Sequence, residues 1–191
     1  MSDPYLAVVV LQESLMNKNE LKDCRYANRH GIQLLTLPYM GKSYEFVIFL
    51  PSQRGKFEEF RKNLTAEMMG ELLKSARSLS SGIDVTIPKF KLTSQPQMKS
   101  MLQRLGIKQL FGNGCDLRGI SEKEEISVDD VIHKAIIEVN EEGTEAAAVT
   151  AVRMITTSIS APMEPIRFRA DHPFVYGIYC GDEPIFFGQY C

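Results

Sequence analysis

Apolar side chains recur at every second position through most of this chain, and at helical spacing in only two stretches. Cys24-Arg25-Tyr26 and Ile32-Gln33-Leu34-Leu35-Thr36-Leu37 alternate, split by the turn residues Asn28 and Gly31, and read as two strands. Residues 5 to 16 are also strand-like. Phe46-Val47-Ile48-Phe49-Leu50 is a continuous apolar run stopped by Pro51, the pattern of a strand buried on both faces. Phe57, Phe60 and Leu64 then recur at helix spacing. Thr65 is placed to cap a second helix carrying Met68, Met69, Leu72, Leu73 and Ala76 on one side, a stripe that belongs in a core. Val85 to Leu92 predicts one strand, with an edge or bulge where Pro88 removes a backbone donor. Ser94 to Leu105 predicts a helix with Met98, Met101, Leu102 and Leu105 inward, closed by Gly106. Ile166 to Arg169 is a short strand. Phe174 to Tyr179 and Ile185 to Tyr190 form a hairpin about Gly181-Asp182-Glu183-Pro184. The sum is an α+β chain with no internal repeat.

The stretch that organises the rest begins at Val131. Val131, His133, Ala135, Ile137 and Val139 form one parity of a β-branched run, with Lys134 and Glu138 on the other. This predicts a strand from Val131 to Asn140. It runs into Glu141-Glu142-Gly143-Thr144-Glu145-Ala146-Ala147-Ala148-Val149-Thr150-Ala151. Three consecutive alanines suggest a helix start, but the strand-like flank argues against it. Beyond Gly143, one parity holds only small or apolar residues: Thr144, Ala146, Ala148, Thr150, Val152, Met154 and Thr156. Both charges, Glu145 and Arg153, fall on the other. Such a segment suits two states, a strand with its small face buried or a free loop.

Composition narrows the functional classes. At 191 residues the chain is long enough for a domain with a real core, and 44% hydrophobic with 24% charged residues is ordinary globular usage. A formal net charge of −2 gives no footprint for nucleic acid or anionic membrane, and no apolar run reaches membrane-spanning length. Leu6 to Leu11 lacks the basic leader and cleavage site of a signal peptide. The four cysteines, at 24, 115, 180 and 191, form no CxxC pair. Free thiols are expected, and neither metal site nor cofactor is indicated.

Candidate chemistry is sparse. His133 at an apolar position is expected to be a hydrogen-bonded core residue. Ser158 has no His or Asp partner at a recognisable spacing. The acids Glu122, Glu124, Glu125, Asp129 and Asp130 lack calcium-loop spacing and read as a solvated face. Asn63-Leu64-Thr65 is a glycosylation sequon on paper. No enzyme is indicated.

Two peptides carry a family likeness. Glu141-Glu142-Gly143-Thr144-Glu145-Ala146-Ala147-Ala148-Val149-Thr150 resembles the hinge of the serpins, the serine protease inhibitors, and Phe168-Arg169-Ala170-Asp171-His172-Pro173-Phe174 resembles their closing signature. Leu37 to Gly41, Phe46 to Pro51 and Ile87-Pro88-Lys89-Phe90 also resemble serpin strands. The resemblance implies that residues 1–191 are the C-terminal portion of a single serpin domain, about half of one. Its fold would be a serpin-like α+β arrangement of mixed and antiparallel sheets, with a mobile reactive-centre loop at about 143–165. On that reading the chain as given is an incomplete domain, expected to aggregate and not to inhibit by itself.

The implied activity is inhibition of serine endopeptidases by loop insertion. Glu141, Glu142, Gly143, Thr144, Glu145, Ala146, Ala147 and Ala148 would be the hinge, and Thr157-Ser158 the reactive bond, with Arg153 and Met154 as alternatives. Partners would be serine proteases, elastase-like or chymotrypsin-like, with no nucleic acid, membrane, metal or cofactor. The alternatives are a non-inhibitory serpin-fold carrier or storage protein, or a truncated product without inhibitory activity. The family favours an extracellular location. The absence of a visible signal peptide, together with the free cysteines, keeps the cytoplasm open.

Overall fold

The computed structural model describes residues 14–112, 115–122, 126–141 and 165–191. Two units are distinguished among the described residues, one within 90–138 and the other formed by 14–89 with 139–141 and 165–191.

The larger unit is built on an antiparallel five-stranded sheet. Its strands are β2 (Arg25–Arg29), β3 (Ile32–Pro38), β4 (Glu45–Pro51), β9 (Phe174–Cys180) and β10 (Glu183–Tyr190), in the order β10-β9-β4-β3-β2. The apolar run predicted to be buried on both faces is the middle strand, β4. Phe46 through Leu50 are all at most 5% exposed. Phe49 and Val47 point to one face, where Leu34, Val175 and Tyr179 join them. Helices α1 (Phe57–Asn63) and α2 (Ala66–Ser75) supply Phe57, Leu72, Leu73 and the flanking Ala76 to that cluster. Thr65 caps α2 as expected, its Oγ1 accepting from the Met68 amide at 3.3 Å. Each fully buried Leu or Phe here contributes about 1.5–3 kcal/mol. The opposite face carries an aromatic series, with Tyr176 stacked on Phe186 and Phe174 on Tyr190 at 4.9 Å.

A three-stranded sheet, in the order β1-β5-β8, completes this unit. β1 (Leu15–Leu21) lies antiparallel to β5 (Ile83–Pro88), and β8 (Ile166–Arg169) lies parallel to it. Ile83, Val85, Ile87 and Phe168 are buried, while Asp84 and Thr86 lie opposite Arg167 and Arg169. The predicted single strand over Val85 to Leu92 is therefore two. β5 ends at Pro88, Lys89 donates its amide to the Ser14 carbonyl at 3.0 Å, and β6 (Phe90–Ser94) joins a different sheet. Proline's missing donor here ends a strand instead of bulging it.

In the smaller unit β6 pairs with β7 (Ala135–Val139). Helix α3 (Met98–Arg104) is shorter than the predicted Ser94–Leu105, and Leu105, expected inward, is 78% exposed. The strand predicted from Val131 begins only at Ala135, and His133 is exposed. His133 is thus not a core histidine. Ile137 is buried at 7% while Ile136 is 53% exposed, so the predicted parity holds within β7 itself.

Positive φ separates two kinds of turn. Gly31 closes the β2–β3 hairpin at φ 72° with open space where a Cβ would stand. Gly82 has nearly the same φ, 73°, but a Cβ there would lie 2.7–2.9 Å from the Glu20 backbone. Both alanine variants suffer left-handed strain of about 1 kcal/mol; only Gly82→Ala must also displace backbone. Thermal melting should show a clearly larger loss for Gly82→Ala than for Gly31→Ala, and equal losses would contradict the close approach.

Candidate functional site

The functional candidates of the sequence fall into a central stretch and its two flanks. Glu142, Gly143, Thr144, Glu145, Ala146, Ala147 and Ala148 lie outside the described residues. So do Arg153, Met154, Thr157 and Ser158. The flanks are described, and each is fixed by charge as well as by strand pairing.

Upstream, the outward parity of β7 places Glu138 against Lys91 of β6, Nζ to Oε2 at 2.7 Å. Two residues beyond β7, the Glu141 carboxylate is paired with the ammonium of Lys89. That hydrogen bond is the main reason the Glu141 carboxyl lies below its ordinary range. The first residue of the candidate hinge is therefore tied to the connection between β5 and β6. As an exposed pair it is a positional tether and a weak source of stability.

Downstream, six of the seven residues from Phe168 to Phe174 have an identifiable task. Phe168, Ala170 and Phe174 are fully buried. The Ala170 amide donates to the Thr86 carbonyl at 2.9 Å, prolonging the β5–β8 pairing. Asp171, 13% exposed, accepts from Arg54 Nη2 at 2.6 Å and from Arg169 Nε at 2.6 Å. Its Oδ1 also lies 3.2 Å from His172 Nδ1, and the other ring nitrogen, Nε2, is 2.8 Å from the Pro51 carbonyl. The motif thereby pins the start of β9 to the end of β4. Burial pushes the Asp171 carboxyl up, but hydrogen bonds from Arg54, Arg169 and His172, with the Arg54 charge, outweigh it. The group is held well below the usual carboxylate range.

Sequence reasoning used this motif as a likeness and missed its ion cluster. Arg54 stands 117 residues from Asp171, and no periodicity links them. The one available signal was an acid flanked by Arg169 and His172 between buried positions. Elsewhere the thiols are free, as expected. Burial, aided by the neighbouring Asp23 charge, raises the Cys24 thiol to about 11, leaving it inert near neutrality. Among the described residues no cluster of His, Cys, Asp and Glu could hold a metal, and no helix is long and apolar enough to cross a membrane.

The Asp171 cluster generates a pH prediction. A carboxyl whose folded pKa is depressed stabilises the fold at every pH above its unfolded value, about 3.9. That stability is lost as pH falls below this value toward the folded one. Urea unfolding should find Asp171→Asn less stable by about 1–3 kcal/mol at pH 7. The gap should hold down to about pH 5 and narrow below about pH 4. A gap that does not change between pH 7 and pH 3 would contradict the assignment.

The family model described as Serpin (serine protease inhibitor) matches residues 9–191. Iripin-3 of Ixodes ricinus is 43% identical over 151 residues, 79% of this chain and 37% of that protein. The leukocyte elastase inhibitor of Sus scrofa is 38% identical over 157 residues, 80% of this chain and 41% of that one. Among solved structures, the thermophilic serpin tengpin in its native state superposes with a TM-score of 0.70 at 28% identity, covering 92% of this chain and 45% of that one. Uncleaved ovalbumin gives 0.73 at 24% identity, a likeness of fold, over 93% of this chain and 47% of that one. The chain spans less than half the length of these relatives. With the family model covering nearly all of it, this chain belongs to the serpin family.

Proposed function

We propose that this chain is the C-terminal portion of one serpin domain, and that the complete protein inhibits serine endopeptidases as a suicide substrate. The segment from about 143 to 165 offers the bait. The protease serine attacks the carbonyl before the scissile bond, the amine of the following residue leaves, and an acyl-enzyme forms. The hinge then enters a sheet beside the strand that precedes it, carrying the protease along before water can release it. Strand addition of this kind gains backbone hydrogen bonds along a whole edge.

The observation that carries the reading is the side-chain pattern directly after β7 and Glu141. Thr144, Ala146, Ala148, Thr150 and Val152 occupy one parity, none charged and none bulkier than Val152. A packed sheet accepts such a row without overpacking, and no ion has to be buried. Gly143 gives the pivot backbone freedom. A carrier or storage member has no need of this pattern. Thr157-Ser158 is the proposed reactive bond, with Arg153 and Met154 as the alternatives. Thr157 fits a small, elastase-like pocket, and the name of the Sus scrofa relative points the same way.

The complete protein incubated with an elastase-like serine protease should give an SDS-stable covalent complex. The peptide released from its carboxyl side should begin at Ser158. Cleavage without complex, with every serine protease tried, would favour the carrier reading. Thr144→Arg places a charge at the first position of the inserting parity, where burying it unpaired is costly. That variant should be cleaved at the normal rate yet lose most of the complex. Undiminished complex would mean that this parity does not enter a sheet.

A further inference from the structure

We propose that Asn63 is an acceptor for an N-linked oligosaccharide, a modification independent of the inhibitory reading. Asn63-Leu64-Thr65 is the chain's single Asn-X-Ser/Thr sequence, with alanine and not proline following it. Its place in the fold is what raises it above a three-letter coincidence. Asn63 is the last residue of α1, and Thr65 is the cap of α2. Between them the backbone leaves the helix. Leu64 has φ −74° and ψ 100°, and Thr65 φ −95° and ψ 161°.

Leu64 turns inward and packs, partly buried, on the cluster beneath the five-stranded sheet. Asn63 and Thr65 are both exposed. The middle residue thus anchors the junction while the two residues that define the acceptor are presented together to solvent. Thr65 Oγ1 accepts from the Met68 amide, and its hydroxyl reaches no further than the exposed Glu67 carboxylate, so both of its partners lie on the first turn of α2 at the surface. A glycan at this corner displaces no buried side chain.

The reaction requires a lipid-pyrophosphate-linked oligosaccharide and a transferase of the secretory lumen. Asn63 Nδ2 attacks C1 of the donor's first sugar, and a C–N bond forms as the C1–O bond breaks. The pyrophosphate leaves with the electron pair, and the amide gives up one proton. Nothing is oxidised or reduced. The proposal therefore places at least this face of the protein in that lumen.

The test is made on the protein isolated from the cells that produce it. Peptide N-glycosidase acting in heavy-oxygen water, followed by trypsin, should yield the peptide 63–74 with residue 63 converted to labelled aspartate. Unmodified Asn63 in that material overturns the proposal. In parallel, the full chain is directed into the secretory pathway of cultured eukaryotic cells behind a cleavable leader. The wild type and Thr65→Ser, which keeps both hydroxyl and cap, should show a glycosidase-sensitive gel shift; Asn63→Gln and Thr65→Ala should not. A shift that persists in Asn63→Gln, or its absence from the wild type, would equally overturn the assignment.

Discussion

Backbone hydrogen bonds along both edges of β4 hold together stretches of chain from opposite sides of residues 142–164. On one edge lies β3, adjacent in sequence. On the other lies β9, which the chain reaches only after β5 through β8. A strand flanked on both edges and buried on both faces must be apolar throughout, and Phe46 to Leu50 meet that condition with no residue more than 5% exposed. β9 brings the burial of Phe174, Val175, Tyr176 and Tyr179 to the same sheet. Each such side chain is worth about 1.5–3 kcal/mol, so the piece downstream of the candidate loop is held by far more than one contact.

The charged tethers make sense against that sheet. The sheet fixes β9, and Asp171 with Arg54 and His172 with the Pro51 carbonyl fix the corner by which β9 is entered. β8 is in turn fixed to β5 by parallel pairing and the Ala170–Thr86 hydrogen bond. Upstream, Lys89 holds Glu141, two residues beyond β7.

How much of this was legible in the sequence depended on the range of the interaction involved. β4, the Thr65 cap, the Leu72 and Leu73 stripe and the terminal hairpin follow from local rules, namely period, cap chemistry and turn residues. Phe46 to Leu50, Leu72 and Leu73 are buried as the pattern requires, whereas in the second strand of the hairpin Ile185 and Phe187 are 59% and 52% exposed. The failures share a cause. Pro88 was read as a defect within one strand, although it marks where the chain passes from one sheet to another. Leu105 and His133 were placed inside because periodicity names a face without saying whether anything covers it, and both are exposed. The Arg54–Asp171 contact is set by topology alone, which no local window contains. The proposed hinge from Glu142 onward and the proposed reactive bond lie outside the described residues, and rest on side-chain size and family likeness.

The segment from residue 165 onward belongs to the sheets of the larger unit through β8, β9 and β10, and its place there should not depend on an intact chain. The direct test cuts the complete protein once between residues 142 and 164 and passes it over a sizing column in native buffer, with mass spectrometry of each fraction. Both fragments should elute together at the size of the uncut protein and separate only in denaturant. A C-terminal fragment that elutes by itself without denaturant would contradict the claim.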